Sequence, residues 1–455
     1  MPDQTALTYE YHVILSHPTT DGVVLLPGEG GWRLPGFIAA ERRFWQDVDH
    51  VSRAMADRYG ATVDTLRCVA VDYERDSELL SKVYAATLRD PTWPLPPGAI
   101  WVSSEDIARL PLALPRQRAA ISAWFGWRAE GAPAIRAPWY VPGWHAKATR
   151  WITRQLDSLG ITQYGPPEQL RSWQRSAILR TLTDRGEVYF KAVPPMFGHE
   201  PALTTALVAV APARVAVPLA VDHARGWMLT SGIVGYSLDE QPEIERWEAA
   251  LRSFAEVQIA STRRLDALRA TGLPERPLRQ LAAQVTPLLA DVAATLPGRP
   301  AGLSAEQRGA LASLAPRLHH MCAELDSYGL PPTIEHGDFW AGQIIVSPQG
   351  FTFLDWSDSS ISHPFFSLLL FLVEIEDFFP RVPNVRERLR DAYLEPWAAV
   401  VPGADLTSAF ELAQPLAALH HAIIYHTVVL PNMEVKWELD LMLPFYLKMA
   451  LRLVA

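Results

Sequence analysis

Cysteine is scarce in this sequence, and two common features of secreted and membrane proteins are missing from it. Only Cys68 and Cys322 are present among 455 residues, and neither belongs to a C-x-x-C motif, so no disulfide framework or zinc site is predicted. No basic segment followed by an apolar run begins the chain, so no signal peptide is expected. The apolar stretch 365–375 is too short to span a bilayer and contains Glu374, and we interpret it as a buried helix. We therefore expect a cytoplasmic protein without a membrane partner.

Positive charge is also in deficit. The sequence has 41 Lys and Arg against 50 Asp and Glu, a formal net charge of −9. A nucleic-acid partner would favour a basic face, so this class of partner is not expected, whereas a cationic substrate is compatible with the balance. The apolar fraction of 49% and the charged fraction of 20% are ordinary for a soluble globular protein.

The length exceeds what one hydrophobic core supports, about 250–300 residues. We predict an α+β protein in three parts: an α/β domain over 1–135, a small β-rich lobe over 140–235 and a helical lobe over 236–455. A segment rich in Pro, Ala and Gly at 128–143 is predicted to be a linker.

The N-terminal part alternates strand-like and helix-like patterns. Strands are predicted over 11–15, 23–26, 66–71 and 80–87. A loop is expected over 30–36, followed by a helix over 44–59 that Gly60 terminates. Ser103 or Ser104 is positioned to cap a second helix that begins two residues later.

The two following parts differ in composition. In the β-rich lobe we predict a helix over 145–160, a hairpin of strands 176–183 and 187–193, a helix over 200–209, and strands over 217–221 and 227–230. In the helical lobe we predict helices over 244–268 and 277–296, with one β-hairpin whose strands are 344–346 and 351–354. His319, His320, His420 and His421 lie in helical stretches and match no zinc spacing.

The strongest chemical signal is the run His336-Gly337-Asp338-Phe339-Trp340-Ala341-Gly342-Gln343, which is followed by that hairpin and by Asp355. Phosphoryl transfer from ATP requires a carboxylate that orients the attacking hydroxyl and oxygen ligands that hold Mg²⁺. Asp338 can supply the carboxylate and Gln343 one ligand, and strand pairing would return Asp355 to the same place as the second ligand. The alternative is a loop aspartate beside a strand-end aspartate with no chemistry, and the spacing together with the hairpin favours the site.

These residues resemble the aminoglycoside phosphotransferase and choline kinase family, in which H-G-D-x-x-x-x-N is followed by a hairpin and an I-D-W or I-D-F step. The resemblance implies a bilobal protein-kinase-like fold, with Asp338 as catalytic base and Asp355 as the principal Mg²⁺ ligand. Gln343 stands where most members have Asn, and it offers the same amide oxygen to a hard cation. The histidine of this motif, His336, is expected to be structural and to pack against the metal-binding strand.

The same resemblance implies a nucleotide site in the β-rich lobe. Lys191 ends a strand and would contact the α- and β-phosphates, and Glu200 would orient it. The turn that ends at Ser176 would lie over the phosphates. The segment containing Met228 and Thr230 would be the hinge whose backbone contacts adenine. A surface lysine, a helix-starting glutamate and a plain linker are the alternatives.

The phosphate acceptor is not specified by the sequence. Family members often carry G-D-P-x-x-D-L after the metal aspartate, and at 362–368 this chain reads S-H-P-F-F-S-L, without either acidic residue. Trp340 and Trp356 flank the motif and either stack on a sugar ring or pack in the core. The sequence does not decide between a sugar, an aminosugar, an aminoglycoside and an amino alcohol as acceptor. It also does not decide whether ATP or GTP is the phosphate donor, or what the oligomeric state is.

The segment 31–60 resembles a Nudix box, with W-R-L-P-G at 32–36 and R-A-M-A-D-R-Y-G at 53–60. The glutamates of that family bind the metals that polarise a pyrophosphate, and their positions are occupied here by Ala54, Asp57 and Arg58. The resemblance implies a Nudix-like fold without hydrolase activity. We therefore predict an ATP- and Mg²⁺-dependent kinase, with a nucleotide-binding pseudokinase and a Nudix-type pyrophosphohydrolase as rival hypotheses.

Overall fold

A computed structural model describes residues 8–39, 41–74 and 78–454 of the chain. It consists of two compact units divided between Pro194 and Pro195, and each is described by itself. The predicted three-part division stays a prediction.

The elements of the first unit are mostly strands. The strands are β1 (Thr8–Ser16), β2 (Val23–Gly28), β3 (Gly31–Arg33), β4 (Gly36–Ala39), β5 (Val63–Glu74), β6 (Leu79–Leu88), β7 (Ile100–Val102), β8 (Glu168–Trp173), β9 (Ser176–Thr183) and β10 (Gly186–Ala192). The helices are α1 (Asp49–Tyr59), α2 (Pro115–Ala129) and α3 (Trp144–Ser158).

A mixed sheet forms the centre of the N-terminal region, with strand order β3-β2-β1-β6-β5, while β4 pairs with β1 and β7 with β2. β1 runs parallel to β6 and is buried along nearly its whole length, as expected for an apolar central strand. Successive side chains of a strand point to opposite sides of the sheet. Helices cover both of these faces. Tyr11 belongs to the core that Val51 and Met55 of α1 complete, whereas His12 contacts Gln117 of α2 at 3.1 Å.

The first helix begins later than predicted. Its C-terminus is at Tyr59 as expected, and Gly60 closes it with φ of 63°. Its N-terminus is at Asp49 because the preceding residues pair with a strand instead: the Val48 N–H donates to the Leu170 carbonyl at 2.9 Å. A helical pattern of side chains cannot reveal this competing partner, which lies more than a hundred residues away.

The structure differs from three other predictions for this region. The turn after Ser103 is capped, since Asp106 N donates to Ser103 Oγ at 3.3 Å, but it does not continue into a helix before Pro111. The segment predicted as a linker begins with the last residues of α2 and contains a 3₁₀ turn in which Trp139 and Tyr140 are buried. The expected loop over 30–36 contains β3 and the start of β4.

β8, β9 and β10 form an antiparallel meander, which confirms the predicted hairpin. Its alternating burial pattern along β9 is typical of a strand with one packed face.

The second unit is mostly helical. Its strands are β11 (Pro218–Asp222), β12 (Trp227–Ser231), β13 (Tyr236–Ser237), β14 (Thr333–Glu335), β15 (Ile344–Ser347), β16 (Gly350–Phe353) and β17 (Ser360–Ser362). Its helices are α4 (Glu200–Val210), α5 (Ile244–Thr262), α6 (Leu265–Arg269), α7 (Leu278–Ala290), α8 (Ala305–Ser327), α9 (Leu368–Phe371), α10 (Ile375–Phe378), α11 (Val385–Leu394), α12 (Leu406–Ile424) and α13 (Met442–Val454).

Small antiparallel sheets position the loops of this unit: β11 with β12, β13 with β15 and β16, and β14 with β17. α5 packs against β14 and α11, and α12 packs against α13, α7 and α8. The stretch 365–375 is not one helix. It consists of a 3₁₀ turn followed by the short helix α9, and the left-handed residue Glu374 ends the helical segment. Among the described residues, no helix is both long and apolar enough to cross a membrane.

Candidate active site

The loop over residues 336–340, hereafter the HGD loop, and the hairpin β15–β16 bring together three of the predicted site residues, Asp338, Gln343 and Asp355. The hairpin register pairs Ile344 with Phe353, so the residues just outside it, Gln343 and Leu354, also face each other. Leu354 N donates to the Gln343 carbonyl at 2.9 Å. Asp355 is the next residue, and it therefore returns beside the loop as predicted.

Asp338 and Gln343 are in side-chain contact. Gln343 Nε2 donates to Asp338 Oδ2 at 3.4 Å, and both side chains are half-buried. With its nitrogen turned towards the carboxylate, the amide keeps its oxygen as the atom able to bind a hard cation.

His336 fixes this arrangement through both ring nitrogens. Nδ1 accepts from Asp338 N at 3.4 Å, so the proton lies on Nε2, which donates to the Leu354 carbonyl at 2.8 Å. Burial lowers the pKa of His336, which favours this neutral tautomer. His336 therefore contacts the backbone of the segment that carries Asp355, in line with the predicted structural role.

Glu335 is a fully buried carboxylate beneath the HGD loop, and sequence reasoning missed it. Its Oε1 accepts from Gly337 N at 2.7 Å and its Oε2 from Ser360 Oγ at 3.2 Å. His420 Nε2 lies 3.5 Å from Oε2. Burial alone would raise the pKa of Glu335, but His420 and the Gly337 amide outweigh it and lower the pKa to about 2. No local motif marks such a residue, because its partners come from β17 and α12.

Backbone strain is concentrated at the same place. Asp355 has φ of 58°, a left-handed conformation that costs a residue with a side chain about 1–3 kcal/mol. Ser357 Oγ donates to Asp355 Oδ1 at 2.7 Å and orients the carboxylate. Gly337 has φ of 79°, and a Cβ there would overlap the Asp358 carbonyl oxygen. Residues held in this way are frequent at functional sites.

The two tryptophans of the motif have different surroundings. Trp356 is buried and donates from Nε1 to the Phe353 carbonyl at 3.2 Å, so it is a core residue. Trp340 is 41% exposed, and its ring lies over Gly342, where a Cβ would overlap it. Trp340 is therefore an exposed aromatic surface two residues from Asp338.

The remaining predicted site residues are distributed over both units. In the first unit, Lys191 lies half-buried near the end of β10 and Ser176 is buried at the start of β9. In the second unit, Glu200 is the buried first residue of α4, and Met228 and Thr230 lie within β12. The strand thus runs through most of the segment expected to be the hinge, since its apolar residues are buried in a sheet.

Potential metal ligands at the loop are oxygen atoms. Within 8–39, 41–74 and 78–454, no group of three or more His, Cys, Asp or Glu could hold a metal ion. The carboxylate of Asp355 and the amide oxygen of Gln343 are ligands of the kind that Mg²⁺ prefers.

The HGD loop, the hairpin and the returning carboxylate are the arrangement that the sequence resemblance to phosphotransferases implies. The sequence matches the phosphotransferase enzyme family (APH) over residues 168–402, more than half of its length. The chain therefore belongs to this family of small-molecule phosphotransferases.

Several solved structures are similar to the chain. Choline kinase LicA from Streptococcus pneumoniae is 14% identical, with 67% of this chain and 99% of that chain covered and a TM-score of 0.43. A choline/ethanolamine kinase family protein from Mesorhizobium loti is 16% identical, with 64% and 92% covered and a TM-score of 0.42. The GDP complex of aminoglycoside 2'-phosphotransferase-IIIa is 12% identical, with 67% and 98% covered and a TM-score of 0.43. No curated protein matches the sequence.

Proposed function

We propose that this protein is an ATP- and Mg²⁺-dependent kinase that transfers the γ-phosphoryl group to a hydroxyl of a small molecule. The observation that carries the proposal is the contact between Asp338 and Gln343, with Asp355 returned beside them by the hairpin. A carboxylate and two hard oxygen ligands in this order are what phosphoryl transfer requires.

In this mechanism Asp338 accepts the proton of the acceptor hydroxyl while the hydroxyl oxygen forms a bond to the γ-phosphorus. The bond between the γ-phosphorus and the bridging oxygen breaks, and ADP leaves with that electron pair. General-base assistance of this kind contributes about 10²–10⁴-fold to the rate. The hydrogen bond from Gln343 holds the carboxylate of Asp338 in one orientation.

Gln343 and Asp355 are the residues that would hold Mg²⁺. The ion would neutralise charge on the β- and γ-phosphate oxygens when bound. Ser357 fixes one oxygen of Asp355, so the carboxylate is oriented before the nucleotide arrives.

Lys191 is proposed to steady the α- and β-phosphates and Glu200 to orient it. Ser176 would lie in the turn over the phosphates, and Met228 and Thr230 in the segment that contacts adenine. The strand position of Lys191 and the helix-start position of Glu200 support these roles.

The acceptor class that we propose is a sugar, aminosugar, aminoglycoside or amino alcohol. Trp340 supports it, because an exposed ring beside the base can stack on a sugar face or contact a cationic amine. The net charge of −9 also suits a cationic acceptor.

The N-terminal domain is proposed to be Nudix-like without hydrolase activity. Asp57 and Arg58 are exposed on α1, and Arg53 forms ion pairs with Asp49 and Glu168 rather than supporting a metal site. A pyrophosphohydrolase is therefore not the activity that we favour.

The test is ADP release from Mg·ATP over a panel of aminosugars, sugars, amino alcohols and aminoglycosides. Asp338→Asn keeps the shape of the side chain but cannot accept the proton, and we expect kcat to fall by about 10²–10⁴-fold with Mg·ADP binding retained. Asp326→Asn, at an exposed position of α8, is the matched control and should behave as wild type. Binding of Mg·ATP without turnover for every acceptor would favour the pseudokinase hypothesis instead.

A further inference from the structure

The outer edge of β8 is covered by a segment of the N-terminal domain. Val48 N donates to the Leu170 carbonyl at 2.9 Å, and Ser172 N donates to the Gln46 carbonyl at 2.9 Å. β8 is the end strand of its sheet, and end strands expose unpaired backbone groups unless something covers them. Residues 46–48 therefore act as one further short strand, contributed by the N-terminal domain.

Side chains of β8 also bond to the backbone of β5, the end strand of the N-terminal sheet. Gln169 donates to the Thr65 carbonyl at 2.6 Å and accepts from Thr65 N at 2.9 Å, so one amide satisfies both backbone groups. Ser172 Oγ donates to the Leu66 carbonyl. The β5–β6 register shifts between Thr65 and Arg67, so Leu66 is the residue turned out of the ladder. Gln169 and Ser172 are buried, and this contact is therefore dry and specific.

The turn that follows β8 is held in the same way. Trp139 Nε1, on a buried indole, donates to the Trp173 carbonyl at 2.7 Å. The Trp45 ring meets the Trp173 ring edge-on at 5.7 Å, and the Arg175 guanidinium lies 5.3 Å from the same ring. The turn itself is Gln174-Arg175 and contains no glycine.

We propose that the N-terminal domain, together with the following 3₁₀ turn that carries Trp139, is a scaffold that fixes β8 and the Gln174-Arg175 turn, and that this scaffold thereby sets the affinity for the nucleotide. This inference rests on the proposed function, in which that turn covers the phosphates. A turn that is ordered before the nucleotide binds loses less conformational entropy on binding, so the affinity is higher. Gln169 and Trp139 are positioning residues in this account and touch no reacting atom.

Two matched pairs of variants test the proposal. Gln169→Met removes the bonds to Thr65. Its control is Gln117→Met, which removes the bond that this buried glutamine of α2 accepts from Leu34 N at 3.0 Å. Trp139→Phe removes the bond to Trp173, whereas Trp93→Phe removes a bond to the Tyr59 carbonyl at 3.0 Å. Gln169 loses two backbone bonds and Gln117 loses one, while each tryptophan loses one. Only the first member of each pair acts on β8 or its turn.

We expect Gln169→Met and Trp139→Phe to raise the Kd for Mg·ADP and the KM for ATP by about tenfold, with kcat and the acceptor KM nearly unchanged. The two control variants should match wild type in all four quantities. Amide hydrogen exchange without nucleotide should become faster across residues 169–176 in the first two variants and stay slow there in the controls.

The outcomes separate this inference from the proposed function. Wild type that fails to bind Mg·ADP would defeat the proposed function and, with it, the nucleotide role of the scaffold. Wild type that binds Mg·ADP, with variants and controls affected alike, would overturn the scaffold proposal only. If one of the first two variants does not fold, the other still decides the question.

Discussion

Glu335 and Ser360 lie opposite each other on β14 and β17, and the serine hydroxyl donates to the carboxylate at 3.2 Å. The other carboxylate oxygen accepts from Gly337 N at 2.7 Å. One buried side chain thus ties the loop that carries Asp338 to the segment that follows Asp355. The relative position of these two aspartates depends on a residue that the nucleotide and acceptor need never touch.

Stability should depend on pH through Glu335. Its pKa in the folded protein is lowered from the ordinary 4.5 to about 2, so its ionised form contributes stability that is present above pH 4.5 and lost as the pH falls towards 2. We expect Glu335→Gln to lower the free energy of unfolding by at most about 3 kcal/mol at pH 7, and the difference from wild type to shrink below pH 4.5. Urea unfolding between pH 3 and 7 measures this difference in the free energy of unfolding, with Glu387→Gln at an exposed position as control. A difference that grows on acidification would contradict the assignment.

Gly337→Ala should destabilise the protein and reduce turnover. The added Cβ meets the Asp358 carbonyl oxygen at a positive φ, and we expect a loss of about 1–3 kcal/mol. The matched control is Gly309→Ala in α8, where a Cβ meets nothing within 4 Å and the change should stabilise by about 0.5–1 kcal/mol. Thermal unfolding of both variants is the measurement, and equal shifts would rule out a special conformation at Gly337.

Gln343→Asn should weaken Mg²⁺ binding, although Asn is the commoner residue in the family that this motif resembles. The side chain shortens by one C–C bond, about 1.5 Å, so the contact with Asp338 at 3.4 Å is lost and the amide oxygen recedes. We expect about tenfold more Mg²⁺ to be needed for half-maximal ADP release, with the acceptor KM unchanged. A variant that needs less Mg²⁺ than wild type would show that the backbone already suits Asn.

Two substitutions of Asp355 should separate the effect of its backbone strain on stability from the effect of its carboxylate on nucleotide binding. Asn tolerates the left-handed region and Val does not, so Asp355→Asn should keep wild-type stability while Asp355→Val loses about 1–2 kcal/mol. Both should lose Mg²⁺-dependent nucleotide binding. Differential scanning fluorimetry with and without Mg·ADP checks both effects, and an equal loss of stability in the two variants would exclude the strain argument.

Local pattern was sufficient where a structural element depends on its own residues. The hairpin β15–β16 was predicted from two β-prone runs around a Pro-Gln-Gly turn, and the return of Asp355 followed from the pairing. The helix over 244–268 was predicted as one element, and the structure ends α5 at Thr262 before a short α6.

Long-range partners account for the rest. Residues 46–48 have a helical side-chain pattern, yet their backbone bonds to β8. Glu335 looks like an ordinary strand residue until β17 and α12 are placed around it. Neither partner is visible within the sequence window from which a helix or strand is inferred.

The interlocking of residues 46–48 with β8 also limits how the protein can be shortened. A fragment that starts at residue 140 would include the whole family match but leave the Leu170 carbonyl and Ser172 N–H unpaired along an open strand. Such an edge is a template on which two copies can pair, so the shortened chain should self-associate at concentrations where the full chain does not.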